Sequence, residues 1–108
     1  MIPQLSPADV ARWRGDDARQ APLLVDVREP WEFAYCRIEA SVSIPLGEVL
    51  RRQTELPRDR PLVMVCHHGR RSQHAAMLLA GVGFPAVFNL AGGVEAWATD
   101  VDPGMQRY

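Results

Sequence analysis

Cys66 ends an apolar run and is followed at once by His67, His68, Gly69, Arg70, Arg71 and Ser72, within VMVCHHGRRSQHAAMLLAG at positions 63–81. A cysteine thiol ordinarily has a pKa of about 8.5, and its thiolate is the nucleophilic form. Everything after Cys66 favours an anion. A helix beginning near Ser72 turns its N-terminal amides and the positive end of its dipole toward the sulfur. Arg70 and Arg71 add permanent positive charge. Gly69 lets the chain curl so that successive backbone N–H groups point inward as an anion nest. A lone cysteine is more often an inert buried hydrophobe. Such a residue, however, gives no reason for four polar or cation-capable neighbours and a tight glycine. The stretch therefore reads as a catalytic nucleophile, Cys66, in a loop of residues 67–72 that holds a small anionic substrate.

His67 and His68 are neighbours, so their side chains are expected to diverge. They tune the charge of the loop and would make activity sensitive to pH near 6.5. A general-base role is the weaker reading, because sulfur chemistry between anions moves few protons. A metal site of Cys66, His67 and His68 is weaker still, since adjacent residues rarely chelate one ion. No metal and no cofactor is implied. His74, early in the next helix, is expected to face solvent.

The elements that must position this loop alternate along the chain. Ser6 and Pro7 open a short helix as N-cap and first helical residue. PLLVDV (22–27) is suited to a buried strand, and Pro30 opens a short helix over PWEFAYC. SVSIP (41–45) reads as a strand, and LGEVLRRQTEL (46–56) has helical spacing at Leu46, Val49, Leu50 and Gln53. PLVMVC (61–66) is continuously apolar, as in a central parallel strand covered on both faces. Ala75, Leu78, Leu79 and Val82 form one apolar helix face, AVFNL (86–90) is a further strand, and GGVEAWA (92–98) turns into a last helix. The pattern predicts an α/β domain: a small, mostly parallel sheet of about five strands with helices on both faces. Ligands of such sheets sit at the carboxyl ends of the strands, where Cys66 lies.

A chain of 108 residues is one domain, 1–108, with residues 100–108 expected to be a loosely ordered tail. A net charge of −1 with no block of like charges gives no support to nucleic-acid or membrane binding. No apolar run approaches the roughly 18 residues of a transmembrane helix, and the first residues lack the basic and apolar regions of a signal peptide. A soluble cytoplasmic protein is the expectation. Two cysteines with no C-x-x-C pair argue against a disulfide scaffold or a zinc knuckle.

VCHHGRRS resembles the active loop of single-domain rhodaneses, C-x-x-G-x-R-S, with Cys66 as nucleophile and Arg71 as the loop arginine. LLVDVREPWEF is similar to the family's D-V-R-E-x-x-E-[FY], carried by Asp26, Arg28, Glu29, Glu32 and Phe33. Ile44 and Pro45 match the strand end that follows. GFPAVFNLAGGVEAW resembles G-[FY]-x-x-V-x-x-L-x-G-G-x-x-x-W through Gly83, Phe84, Val87, Leu90, Gly92, Gly93 and Trp97. Where the family usually reads G-H-I-x-G-A, this chain has CRIEAS (36–41) and keeps only Ile38.

The resemblance implies a rhodanese-like fold and a sulfurtransferase. Its Cys66 thiolate would take the sulfane sulfur of a small anionic donor such as thiosulfate and carry it as a persulfide. A thiol, cyanide or a protein thiol would be the acceptor. Asp26 and Arg28 are expected to pair with their surroundings rather than with substrate. Cys36, if near Cys66, could resolve the persulfide as a disulfide; a lone thiol is the plainer expectation. A cysteine phosphatase or arsenate reductase also uses a cysteine, an anion loop and an arginine, but in the pattern C-x₅-R, and position 72 is serine. A non-catalytic rhodanese-like binding module, or a carrier that hands sulfur to another protein, is the third alternative. Trp13, Trp31 and Trp97 are expected in the core or at its edge.

Overall fold

Four consecutive residues with no water around them make β4 (Leu62–Val65) the middle of the fold. In this computed structural model, which describes residues 1–108, β4 lies between β2 (Leu23–Asp26) and β5 (Val87–Leu90). The two-residue strands β1 (Gln4–Leu5) and β3 (Val42–Ser43) form the edges. The order is β1-β5-β4-β2-β3, and every pair is parallel. The chain builds outward from β2 to β3, crosses back to β4, and then builds the other way. The carboxyl ends of β2 and β4 therefore flank a switch point, where open α/β sheets bind ligands.

The continuous apolar run of β4 is explained by two cores. Leu62, Met64 and Cys66 face one side, packing with Ala75, Ala76 and Leu79 of α3 (Arg70–Gly81). Val63 and Val65 face the other, packing with Val10 and Trp13 of α1 (Pro7–Arg14) and with Val94 and Trp97 of α4 (Gly93–Asp100). Each such aliphatic side chain contributes about 1.5–3 kcal/mol when fully buried. Ser6 caps α1 by accepting from the Asp9 amide, with Pro7 as its first residue. α2 (Pro30–Tyr35) also begins at a proline; its Glu32 side chain accepts from the Glu29 amide.

Several expectations are corrected. Residues 46–56 form two 3₁₀ turns, Leu46–Glu48 and Gln53–Glu55, not an α-helix. Gly47, inside the first turn, weakens an α-helix there. The tighter i→i+3 bonds from Val49 N to Leu46 O and from Leu56 N to Gln53 O bring both donors' side chains into the core. The helix after Cys66 starts at Arg70 rather than near Ser72, and Val82, past its end, is exposed. Its buried face is completed by Ser72 and Ala76. Trp13 and Trp97 are buried, but Trp31 is 63% exposed. The edge strand β1 is too short to show a period. Residues 101–108 are docked, not loose. Val101 N and Asp102 N both donate to Trp97 O at 2.9 Å, Arg107 pairs with Glu95, and the Tyr108 hydroxyl is held by Arg28 and Glu32.

The CRIEAS connection keeps Ile38 in the core beneath α1 and α4. It turns at Ala40, whose φ of +65° is the only left-handed conformation outside glycine. An L-residue there costs roughly 1–2 kcal/mol. Ala40→Gly should therefore raise stability by about 0.5–1 kcal/mol after glycine's greater unfolded-state entropy is counted. Urea unfolding would show a higher midpoint at unchanged slope, whereas a lower midpoint would mean that the turn is not strained.

Candidate active site

Cys66 follows β4 directly, and its side chain is enclosed at 1% exposure. The Gly69 amide donates to its Sγ at 3.1 Å, and Ser72 Oγ lies 3.2 Å from the same sulfur. Gly69 reaches this position with a φ of +102°, as the N-cap of α3. The loop is held from the other side by α4. Val94 N donates to Cys66 O at 2.9 Å and Glu95 N to His67 O at 3.1 Å. That contact explains Gly92-Gly93. Both are left-handed, and a Cβ on Gly93 would stand 2.4 Å from the carbonyl oxygens of Cys66 and His67.

Arg71 does not project freely toward the sulfur. Its guanidinium forms a bidentate pair with Glu32, Nη1 to Oε1 at 2.7 Å and Nη2 to Oε2 at 3.0 Å. Glu32 Oε2 also accepts from the Tyr108 hydroxyl at 2.7 Å. Arg71 chiefly, with Tyr108 and the Glu29 amide, holds the Glu32 carboxyl down to about 2 against the opposing effect of burial. Tyr108 accepts in turn from Arg28 Nη1 at 2.9 Å, and burial pushes its phenol up to about 12.

Asp26 and Arg28 pair with each other, as well as with their surroundings. Both are fully buried, with Arg28 Nη2 at 2.7 Å from Asp26 Oδ2 and Nε within 3.1 Å of both carboxylate oxygens. Arg28 also donates to the Cys36 carbonyl at 2.7 Å and lies 3.7 Å from Cys36 Sγ. Cys36 and Cys66 are both free thiols, and each sulfur has its own hydrogen-bond partners.

The histidines do not diverge. The His67 and His68 rings stack at 3.9 Å, and the other face of His67 stacks on Tyr108 at 3.9 Å and 8°. His67 Nε2 is enclosed without a partner, and burial, then the neighbouring His68, lowers its pKa from the usual value. His68, Arg70 and His74 are exposed. The structure thus gathers Cys66, Gly69 and Ser72 at the sulfur, sends Arg71 to Glu32, and stacks the histidines under the tail. Sequence reasoning did not assign site roles to Glu32, Asn89 or Tyr108. Glu32 carried a signal as the last acid of DVREPWE; Tyr108 carried none.

The Glu32 pair makes stability depend on acid. Its folded pKa lies below the ordinary 4.5, so its contribution is present above that value and is lost as pH falls from 4.5 through about 2. With its side chain only 6% exposed, that contribution is about 3 kcal/mol. Urea unfolding at successive pH values should show wild type losing about that much more than Glu32→Gln across the same window. Parallel losses would mean that the pair adds nothing.

Residues 6–100 match the family model described as rhodanese-like domain. Thiosulfate sulfurtransferase GlpE of Pseudomonas syringae pv. syringae is 42% identical over 80 residues, 74% of this chain and 76% of that protein. A sulfurtransferase of Allochromatium vinosum is 41% identical over 76 residues, 70% of this chain and 71% of its own length. The crystal structure of a rhodanese-related protein from Thermoplasma volcanium superimposes with a TM-score of 0.82 at 28% identity, covering 92% of this chain and 93% of that one. With the cysteine loop at the switch point of a parallel sheet and these relatives on both sequence and fold, the chain belongs to the rhodanese-like family, among its sulfurtransferases.

Proposed function

We propose that Cys66 is the nucleophile of a double-displacement sulfur transfer. The observation that carries this reading is Cys66 Sγ at the carboxyl end of the central strand, receiving the Gly69 amide at the start of α3. The thiolate attacks the outer sulfur of a small anionic donor such as thiosulfate. A new S–S bond forms, the donor's own S–S bond breaks, and sulfite leaves with the electron pair. Cys66 then carries a persulfide. A thiophilic acceptor, such as cyanide, a small thiol or a protein thiol, attacks the terminal sulfur and expels the Cys66 thiolate. One difficult step is thereby divided into two easier ones.

Loop amides of residues 67–72 and the charge of Arg71 would receive the donor's anionic oxygens and later the terminal sulfur. Arg71 stays ionised at any working pH because Glu32 stabilises its cation. A phosphatase reading is less well supported. Its signature arginine would fall at position 72, which is serine, and Arg71 is committed to Glu32. No helix is long and apolar enough to cross a membrane. The proposed setting is a reducing cytoplasm, where a free nucleophilic thiol persists.

Intact-mass measurement tests the reading directly. Reduced protein incubated with thiosulfate should gain about 32 Da, one sulfur, and cyanide should remove it. Cys66→Ser should gain nothing. A gain that survives in Cys66→Ser, or no gain with thiosulfate or any other sulfane donor, would overturn the assignment of Cys66 as carrier.

A further inference from the structure

Ser72 Oγ touches two groups that both ask for its single proton. One is Cys66 Sγ at 3.2 Å; the other is Asn89 Oδ1 at 2.6 Å. Asn89 is on β5, and its amide orientation decides the conflict. Its Nδ2 lies 3.1 Å from Gly69 O and 2.8 Å from Gln4 Oε1. A backbone carbonyl can only accept, so the amide nitrogen must face Gly69. Gln4 is fixed in the same way, because its own Nε2 donates to the Ile2 carbonyl at 3.2 Å and to Gln73 Oε1 at 2.6 Å. Both amides are therefore locked, and Asn89 Oδ1 faces Ser72 as an acceptor.

Asn89 is 2% exposed and Ser72 is fully buried, so no water competes for either. The short contact takes the hydroxyl proton, and an oxygen lone pair is left facing the sulfur. We infer that Asn89 is a positioning residue that withholds the Ser72 proton from Cys66. A thiol can donate its S–H to that lone pair. The inner sulfur of a persulfide has no proton to donate but is repelled less than a thiolate, because the charge then lies on the terminal atom. The bare thiolate meets one donor, Gly69 N–H, and one lone pair; for Ser72 to donate to it, Asn89 Oδ1 must be left buried and unpaired, which is costly. Asn89 thus shifts Cys66 away from the bare thiolate and toward the thiol and the sulfur-loaded form.

This rests on Cys66 being the sulfur carrier, but it can be tested without any sulfur donor. The readout is ultraviolet thiolate absorbance against pH, taken as the difference from the matching Cys66→Ser protein. Arg71 with its partner Glu32, His67 and His68 in the loop, and Glu95 on α4 remain in all variants, so they cancel in the comparison. Asn89→Ala frees Ser72 to donate to the thiolate, and its titration midpoint should fall by about one unit relative to wild type. Ser72→Ala removes the lone pair and should leave the midpoint equal or lower. In the double variant the downward step caused by Asn89→Ala should vanish. A midpoint raised by Ser72→Ala would overturn the inference, since it would show the hydroxyl donating to the thiolate in wild type. An equal fall on Asn89→Ala with and without Ser72 would overturn it too. A failed mass gain with intact titration differences would instead count against the persulfide reading alone.

Discussion

The loop after β4 keeps its shape because two helix starts grip it from opposite sides. The first amides of α4 hold the carbonyls of Cys66 and His67, while the first turn of α3 offers an amide to the sulfur. A peptide unit whose C=O is fixed in one direction must present its N–H in the other. The direction in which those loop amides point is thus set by a neighbour that never touches the sulfur. Gly92 and Gly93 serve this arrangement. Both are left-handed; Gly93 brings α4 so close to the loop that no side chain fits between, and at Gly92 a side chain would meet Ala96 of α4.

A chain of polar groups, buried at Asp26, Arg28 and Glu32, ties that loop to the rest of the carboxyl edge. Asp26 pairs with Arg28, Arg28 reaches the Tyr108 hydroxyl, Tyr108 donates to Glu32, and Glu32 grips Arg71. The chain joins β2, the C-terminal segment, α2 and α3. Removing one partner of such a buried pair typically costs about 3–5 kcal/mol, because the other charge is left without compensation. Satisfied as it is, the network holds the Arg71 guanidinium in one defined position on Glu32. The same network seats the Tyr108 ring on His67, whose Nε2 is enclosed without a partner.

Much of this was readable in advance. The unbroken apolar run 62–66 marked a strand covered on both faces, and Cys66 with Gly69 marked the turn into a helix at its end. What failed to show has physical causes. β1 is two residues long, too short for an alternation to repeat, and is held by pairing with β5. Residues 46–56 carry helical spacing but fold as 3₁₀ turns, because Gly47 weakens the first turn and burial of Val49 and Leu56 sets the path. Arg71 was legible as a cation, but its partner Glu32 comes from a helix distant in sequence. Asn89 looked like one polar residue in an apolar strand, and only the fold shows that it faces Ser72. Stacking of the histidines depends on Tyr108, whose position no local pattern encodes.

The pairing of β1 with β5 bears on how the molecule assembles during synthesis. Gln4 lies beside Asn89, and the carbonyls of Cys66 and His67 wait for the amides of Val94 and Glu95. A nascent chain that has emerged only as far as the cysteine has neither its first edge strand placed nor its loop peptides oriented. Contacts between such distant parts of a chain form late, since loop closure must precede them. The loop around the thiol therefore takes its folded shape only when nearly the whole domain has left the ribosome.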